Sequence, residues 1–439
     1  MKSQELLTKI KAASQDQPLW LQQKRQLACQ LASRLSTNQF ERRMIEQWQM
    51  ADLTTVDDGR GDCSTEDYVD LPLFYATHKY SELLQENLME KAIFWQDSQL
   101  NALHMAMLNG GRFIYVPDNT VVDDPIELRV DCPLTNYHNL VIVGANAEVT
   151  IVEQQNASGQ KPTFFGTELL LGDGALVNYY QSNHFTAVNN WQATRAYQAA
   201  DSQLNVYTAF FDQHDLYTDT FTNLDGDGST ASVKTVAISN GQQHQEVHTR
   251  IDNHGLHTDG KILQNGVALD QSVLNFHAVG KIFHGSHQSK SNQESRLLTL
   301  SKESRGETDP VLLIEDNDVD AGHAASIGKV DADQLYYLQS RGLTLKQAQI
   351  LLTKGFLLPV INKFPDRALR QRTQQELLDR LEVEEWVKTK TNEQFKTLLR
   401  STTSTDSMMT YSPFSLRVSA LVKTRSKKFH GANTSRNGC

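Results

Sequence analysis

The chain has only four cysteines in 439 residues, and they are too widely scattered to form a metal site on their own. Cys29, Cys63, Cys132 and Cys439 include no Cys-x-x-Cys pair. Structural zinc sites and whole iron–sulfur clusters usually draw closely spaced thiolates from one chain. Any cluster that this chain handles would therefore have to be shared with a partner chain.

The sequence also lacks an apolar run of about 18 residues, the length that a membrane-spanning helix requires. Its first residues, Met1 to Glu5, do not begin the apolar stretch of a secretory signal. We therefore expect a cytoplasmic protein that keeps its thiols reduced and has no membrane partner. A formal net charge of −10 argues against a nucleic-acid partner, which needs a basic surface.

Signatures of common enzyme classes are missing as well. The chain contains no Gly-x-x-x-x-Gly-Lys-Ser/Thr phosphate loop, no Gly-x-Ser-x-Gly nucleophile elbow and no His-Glu-x-x-His zinc motif. The turn from Asp225 to Gly228 resembles the start of a calcium loop, but Val236 stands where that loop requires glutamate. The sequence thus favours a protein that is not an enzyme.

The distribution of helix and strand formers divides the chain into four regions. Leu27, Leu31 and Leu35 recur at four-residue spacing among good helix formers, which predicts helix. From Arg112 onward, short alternating runs of strand formers are broken by Gly, Asn and Asp. The four predicted regions are an N-terminal helical region (1–110), a strand-rich core (111–330), a C-terminal helical region (331–400) and a disordered tail (401–439).

An internal repeat in the strand-rich core indicates a β-solenoid. An apolar, polar, apolar triplet follows turn residues four times at a nearly constant spacing of about 27 residues, a period that fits stacked coils. Meander hairpins, the alternative, usually repeat every ~8–12 residues. Beyond about Asn240 the register is lost, so the number of coils is not predicted. The triplets are Val149-Thr150-Ile151, Val177-Asn178-Tyr179, Leu204-Asn205-Val206 and Ala231-Ser232-Val233.

Two helices are predicted in the C-terminal region. Thr344 to Gln347 fits a capping box, in which each side chain satisfies a free backbone N–H group of the other residue. Gly355 stands where a left-handed C-terminal cap would end this first helix. The second helix is predicted to run from Asp366 to about Val387. The apolar stripe of the first helix consists of Ala348, Leu351 and Leu352.

Histidines are concentrated late in the core, but no pair of them is predicted to bind metal. His244 and His248 share a strand face yet lie about 13 Å apart, at ~3.3 Å per residue. Only residues from stacked coils could build a site, and the sequence does not show which residues stack. We therefore interpret the histidines as polar surface and hydrogen-bonding groups. They are His244, His248, His254, His257, His277, His284, His287 and His323.

A second candidate is the acidic run that precedes His323. Carboxylate and imidazole ligands of this kind suit iron or other divalent ions. The alternative is a solvated loop that leads into a histidine facing the core. The run consists of Glu315, Asp316, Asp318 and Asp320.

Motifs in the last third of the chain resemble the C-terminal signature of the SufB/SufD family. An apolar strand and an Asp-Val pair are followed by a histidine-containing turn and a Tyr-Tyr-Leu-x-Ser-Arg-Gly helix region. Upstream segments are similar to that family too, and the resemblance spans roughly residues 75 to 390. The segments are Val116-Pro117, Asp124 to Ile126, His138 to Val143, Gln293 to Leu300, Asp309 to Ile314, Asp318-Val319, Ala321 to Gly328, Gln334 to Leu338, Ser340 to Leu343, Ala348 and Gly355-Phe356.

The resemblance implies a right-handed parallel β-helix flanked by N- and C-terminal helical regions. It implies a non-catalytic scaffold that supports iron acquisition and ATPase-driven conformational change, and that helps to deliver iron–sulfur clusters to apoproteins. Its partners would be a SufB-like paralogue, or a second copy in that paralogue's absence, and a SufC-like ATPase. The two β-helix subunits would meet near the C-terminal end of the solenoid. The ATPase would dock on about Leu343 to Phe364, chiefly on Leu343, Ala348, Leu351, Leu352 and Phe356.

Departures from the family pattern favour a SufD-like member. SufB-like chains carry a functional cysteine in the strand before the histidine turn, where this chain reads Leu313-Ile314-Glu315. Some SufD-like chains have a cysteine two residues before the histidine, where Ala321 stands here. The resemblance therefore implies one site residue, His323, as an iron or cluster ligand at the subunit interface. No cofactor is expected to be held stably by this chain alone; iron or a cluster would be shared with the SufB-like partner.

Two other functions remain open from the sequence. A β-helix polysaccharide lyase or hydrolase would need a groove with paired carboxylates or a basic catalytic residue, and normally an export signal. A purely structural solenoid adaptor would need no metal at all. Activity on acidic glycans would identify the first, and cluster assembly that does not depend on His323 would identify the second.

Overall fold

The structure is a computed structural model that describes residues 3–381, apart from residues 39–40, 43–44, 47–52, 54–59, 131–135, 156–162, 184–188 and 365. The described chain forms two compact units that divide after Val330. The tail at 401–439, together with Cys132 and Cys439, lies outside the described residues.

The first unit begins with short helices that pack on one face of a β-sheet. Leu21, Arg25 and Ala28 form the buried face of the second helix. The helix predicted from the leucine spacing is present at Leu27 and Leu31, although Leu27 is exposed and a 3-10 turn separates Leu31 from Leu35. The elements are α1 (Ser3–Ala13), α2 (Leu19–Leu31), the 3-10 turn (Ala32–Arg34), β1 (Val69–Pro72), α3 (Leu73–Lys79), α4 (Ser81–Asn87) and α5 (Gln99–Met107).

The rest of the first unit is a parallel β-solenoid, which confirms the fold class predicted from the repeat. Each turn of the solenoid, here called a rung, gives one strand to a nine-stranded sheet and one to an eight-stranded sheet. The nine-stranded sheet contains β1, β2 (Arg112–Val116), β4 (Asn136–Val143), β6 (Thr163–Leu171), β8 (Asn189–Gln198), β10 (Asp215–Leu224), β12 (His244–Asn253), β14 (Val273–Ile282) and β16 (Arg305–Ile314). The eight-stranded sheet contains β3 (Ile126–Val130), β5 (Glu148–Gln155), β7 (Leu176–Asn183), β9 (Gln203–Phe210), β11 (Thr230–Ser239), β13 (Asp259–Ala268), β15 (Lys290–Thr299) and β17 (Asp320–Lys329).

The predicted triplets form the inner face of the eight-stranded sheet. Val149 pairs with Val177, Val177 with Leu204, and Leu204 with Ala231, all in parallel register. The apolar positions of each triplet are buried, whereas the polar middle residue is only half-buried. Since side chains alternate across a strand, the apolar, polar, apolar pattern places one face in the core.

One residue in the left-handed conformation recurs at the same corner of successive rungs. Asn146 has φ 55° and Gly228 has φ 71°, values that favour Asn, Asp and Gly over other residues. The N–H of each donates a 2.8 Å hydrogen bond to a carbonyl of the next rung. These corners explain why turn residues recur in the sequence once per rung.

The rungs continue beyond Asn240, but they become longer. In the eight-stranded sheet Gln203 pairs with Thr230, Thr230 with Asp259, and Asp259 with Lys290. Each of these steps along the chain is longer than the one before it. The additional residues lie in the corners, so a constant period no longer describes the repeat in this part of the sequence.

The second unit consists of α6 (Ala332–Ser340), α7 (Leu345–Ile361) and α8 (Arg367–Arg380). The predicted capping box is present, with Gln347 N–H donating to Thr344 Oγ1 at 3.2 Å and Thr344 N–H donating to Gln347 Oε1 at 2.9 Å. The second predicted helix is present as α8, with Asp366 as its N-cap residue; residues 382–387 of the predicted helix lie outside the described residues. Among the described residues, no helix is both long and apolar enough to cross a bilayer.

The prediction that Gly355 ends α7 is wrong. The helix continues to Ile361, and Gly355 is an exposed position inside it without a positive φ. The left-handed glycine of this region is Gly342, with φ 91°, directly after the C-cap residue of α6. Substitution by alanine should therefore change the stability of the helices differently at the two glycines.

We expect Gly355→Ala to stabilise the C-terminal helices by about 0.5–1 kcal/mol, because alanine loses less backbone entropy in a helix interior and a Cβ at this position meets no atom within 4 Å. The matched control Gly342→Ala should instead destabilise them by about 1–2 kcal/mol, because its backbone is left-handed. Hydrogen exchange of the amides in α7 measures both effects. A loss of protection in Gly355→Ala would contradict the helix-interior assignment.

Candidate functional site

Within the described residues, the last rung ends the solenoid with two strand edges that pair with no further strand. β16 and β17 are the terminal strands of their sheets in the described chain, and both are largely exposed. Leu313, Ile314 and Ile327 on these strands are 43%, 39% and 42% exposed. At the other end, the nine-stranded sheet is covered by the antiparallel strand β1. Long exposed edges with apolar side chains are ready to pair with another strand.

His323 lies on the exposed strand β17. Its Cα pairs in register with that of Gln293 on β15, and its side chain is exposed. Gln293 is buried, so the register places His323 on the inner face of its sheet, where no further rung covers it within the described residues. The structure places the predicted histidine at the uncovered end of the solenoid.

The acidic run before His323 is not gathered around it. Asp316 is buried and accepts the N–H groups of Gly285 and Asp318, both at 3.0 Å, so it holds a corner of the solenoid. Within the described residues, His323 belongs to no group of three or more side chains spaced to hold a metal ion. A ligand set at His323 would therefore need atoms from outside the described residues.

The predicted ATPase-docking residues differ in exposure. Ala348 is fully buried in the helical unit, so its contribution is to packing. Leu343, Leu351, Leu352 and Phe356 are half-buried. Sequence periodicity missed the most exposed large apolar side chains of this unit, because they lie outside the apolar stripe of α7. These are Tyr336, which is 74% exposed, Tyr337 and Leu345.

A second cluster lies on the outer face of the nine-stranded sheet, where β12 and β14 run side by side. His248 pairs in register with His277, and Glu246 pairs with Asn275. The two imidazole rings stack with centroids 4.2 Å apart. Glu246 Oε2 lies 3.0 Å from His277 Nε2, and Glu246 Oε1 lies 2.6 Å from His244 Nε2. One ligand atom each of Glu246, His248 and His277 lies within 4.8 Å of the others.

The protonation states in this cluster are set by burial and by mutual hydrogen bonds. Burial opposes ionisation of Glu246, but hydrogen bonds from His244, His277 and Asn275 outweigh it and lower its pKa to about 2. The hydrogen bond to Glu246 raises the pKa of His277. Burial, followed by the neighbouring charge of His277, lowers the pKa of His248 to about 4. The cluster is thus a fixed carboxylate between imidazoles of different basicity.

The sequence contains a signal for this cluster, but a search for one constant repeat length misses it. His248 and His277 lie one rung apart, at the spacing of the longer rungs in this part of the chain. His244, the other histidine of β12, does not belong to the group of three potential ligands, and its Nε2 contacts the other oxygen of Glu246. The register of the rungs, rather than the distance along one strand, decides which histidines meet.

His138, which belongs to one of the segments that resemble the SufB/SufD family, is buried inside the protein. His138 on β4 is fully buried between His104 of α5 and Glu168 of β6, with distances of 2.9 Å and 3.0 Å from its ring nitrogens. Glu168 also accepts the backbone N–H groups of Met89 and Ile93. Burial lowers the pKa of His104 well below its usual value, so this ring is neutral. The network fastens the N-terminal helical region to the sheet.

Comparison with known proteins assigns the family. Residues 129–356 match the model described as "SUF system FeS cluster assembly, SufBD core domain". The iron–sulfur cluster assembly protein SufD of Bacillus subtilis is 36% identical over 68% of this chain and 70% of its own. A SufBD family protein of Staphylococcus saprophyticus is 25% identical over 61% of this chain and 60% of its own. Another SufBD family protein, ycf24 of Porphyra purpurea, is 24% identical over 66% of this chain and 63% of its own.

The match over residues 129–356 makes this a chain of the SufBD core class, and the protein belongs to the SufB/SufD family of the SUF iron–sulfur cluster assembly system. Within that family it is a SufD-like member. The names of these relatives describe assembly proteins and no catalytic activity. The resemblance noted from the sequence is confirmed.

We expect nuclear magnetic resonance titration to show His277 with a pKa above the usual histidine value and His248 with a pKa of about 4. Glu246→Gln should lower the pKa of His277, because it removes the negative charge that stabilises the imidazolium. The control Glu294→Gln, on the other sheet, should leave both titrations unchanged. A His277 titration identical in the wild type and Glu246→Gln would contradict the described contact.

Proposed function

We propose that this chain is a non-catalytic scaffold subunit of a SufBCD-type complex that assembles iron–sulfur clusters and delivers them to apoproteins. The observation that carries the proposal is the uncovered last rung, with its two strand edges and exposed Leu313, Ile314 and Ile327. The family supplies the chemistry of cluster assembly. The exposed rung supplies a surface for a partner of the same fold.

The partner proposed for the last rung is a SufB-like paralogue, or a second copy of this chain in its absence. Both edges are ten residues long, so strand addition can supply backbone hydrogen bonds along both sheets. Pro310 in β16 supports an edge position, since proline is confined to edge strands and bulges. The exposed apolar side chains would be removed from water by the same contact.

His323 is proposed as an iron or cluster ligand at this interface. Its imidazole is exposed on the strand that would meet the partner, and imidazole is a common ligand of iron. The chain has no thiolate on β16 or β17, so cysteine ligands would have to come from the partner. The iron or cluster is cargo of the complex rather than a resident cofactor of this subunit.

The helical unit after Asp331 is proposed to dock a SufC-like ATPase. Tyr336, Tyr337 and Leu345 are exposed apolar side chains of this unit, and tyrosine is enriched among residues that dominate binding energy. ATP hydrolysis by that partner would drive the conformational change that accompanies iron acquisition and cluster assembly. The proposed ATPase interface uses residues other than those of the last rung.

The measurement that tests the scaffold role is anaerobic co-purification of the full chain with its host's SufB-like and SufC-like proteins. The double variant Leu313→Asp/Ile327→Asp should weaken binding of the SufB-like protein at least ~10-fold, because it puts carboxylates into an apolar contact. Binding of the SufC-like protein should persist. The control Val121→Asp, at a residue 57% exposed at the other end of the solenoid, should change neither.

If the Leu313→Asp/Ile327→Asp variant binds the SufB-like protein as tightly as Val121→Asp does, the last rung is not the interface. If the wild-type chain binds neither protein, the scaffold proposal itself fails. The β-helix glycan enzyme would then need testing by assay on acidic polysaccharides, because a shared fold does not imply a shared function.

For His323, we expect His323→Ala to leave the complex intact but to reduce cluster assembly on the purified complex at least ~10-fold, since loss of a ligand weakens metal affinity. His284→Ala, at another exposed histidine, is the matched control. Cluster content is measured by absorption and by iron and sulfide analysis. Unchanged cluster assembly in His323→Ala, with the complex intact, would favour the purely structural adaptor.

A further inference from the structure

Two imidazoles and a carboxylate converge on the outer face of the nine-stranded sheet, away from the strand that carries His323. Glu246 and His248 lie on β12, two residues apart on one face, and His277 lies beside His248 on β14. Within the described residues, this is the group of three His, Cys, Asp or Glu side chains spaced to hold a metal ion.

The side chains are held in place before any ion arrives. His248 stacks on Tyr217 with ring centroids 4.7 Å apart, and His277 extends the same column. Glu246 is buried, and its Oε1 is fixed by His244 at 2.6 Å and by the amide of Asn275 at 2.9 Å. Rigid ligands lose little entropy on binding, which favours affinity.

The distances are close to those that a metal ion would impose. Bonds of about 2.1 Å place neighbouring ligand atoms about 3.0–3.4 Å apart. Glu246 Oε2 and His277 Nε2 are already 3.0 Å apart. The third ligand atom, from His248, lies within 4.8 Å of the ligand atoms of the other two, and the His248 ring has to turn out of its stack on His277 to direct its lone pair at the same ion.

The surroundings also fit a cation. His277 Nδ1, on the far side of the ring from Glu246, lies 3.7 Å from Asp309 Oδ2. A histidine that binds metal through one nitrogen commonly donates its other N–H to a carboxylate, and Asp309 would have to approach to about 2.9 Å to accept that hydrogen bond. Two guanidinium groups of the same sheet are engaged with other carboxylates: Arg195 pairs with Asp219 at 2.6 Å, and Arg250 pairs with Asp252 at 2.7 Å.

We propose that Glu246, His248 and His277 form a binding site for one divalent first-row transition-metal ion such as Fe²⁺ or Zn²⁺, with Asp309 orienting His277. Two imidazoles and one carboxylate select such ions over Mg²⁺ and Ca²⁺, which prefer oxygen ligands. Three protein ligands leave coordination positions open to water or to an incoming group. The site rests on this geometry and does not depend on the scaffold role or on His323.

The test uses the isolated full chain, stripped with a chelator and titrated with Co²⁺ as a spectroscopic probe. We expect one equivalent of Co²⁺ to bind with visible absorption bands, and Zn²⁺ to displace it. Fe²⁺, titrated without oxygen, should bind more weakly than Zn²⁺, and Mg²⁺ should not compete. His277→Gln and Glu246→Gln should each raise the Kd for Co²⁺ at least ~100-fold, and Asp309→Asn about 10-fold.

His323→Ala and His284→Ala are the controls and should bind Co²⁺ with the wild-type Kd, while circular dichroism confirms that every variant is folded. The inference is overturned if the double variant His248→Ala/His277→Ala still binds one equivalent with the wild-type Kd. It is equally overturned if His323→Ala abolishes the binding, or if the wild-type chain binds neither Co²⁺ nor Zn²⁺. None of these outcomes depends on a SufB-like or SufC-like partner, so they are separate from a failure of the proposed scaffold role.

Discussion

The parallel register between rungs is the constraint on which the rest of the structure depends. Because each strand pairs with the equivalent strand of the next rung, a residue type repeated at the rung spacing becomes a continuous column. Apolar columns such as the one formed by Val149, Val177 and Leu204 make the core. On the outer face of the other sheet, Trp191 pairs with Tyr217 and His248 with His277 in register, and Tyr217 stacks on His248 diagonally because its own register partner is Glu246.

The same register explains why the two ends of the solenoid differ. A strand inside the stack satisfies its backbone groups on both sides, and the nine-stranded sheet ends at the N-terminal side on the antiparallel strand β1. Arg112 on β2 is locked there by buried Asp70, with 2.5 Å between Nη2 and Oδ1. In the described chain β16 and β17 have no further strand beside them. The last rung therefore offers two edge strands of ten residues each, whereas the terminal strands at the other end, β1 and β3, have four and five residues, so the last rung is better suited to assembly through strand pairing.

The sequence predicted the fold well where a local rule determines the structure. The triplets, the capping box at Thr344 and the helix start at Asp366 depend on residues a few positions apart. The prediction failed at Gly355, because a glycine suits both a C-terminal cap and an exposed helix interior, and even Pro359 does not end α7. The pairing of His248 with His277 was missed because rung length, which sets the register, varies with corners that periodicity does not resolve.

The His323 site and the Glu246 cluster illustrate two different limits of inference from sequence. His323 is indicated by likeness to a family and lies on an edge strand, where the proposed ligand site would need atoms from outside the described residues. The Glu246 cluster is indicated by register alone, and its three ligands are all on this chain. A site completed by a partner can exchange its contents when the complex rearranges, whereas a site complete on one rigid sheet can hold an ion before assembly. The two proposed sites would therefore serve successive steps of metal handling rather than the same one.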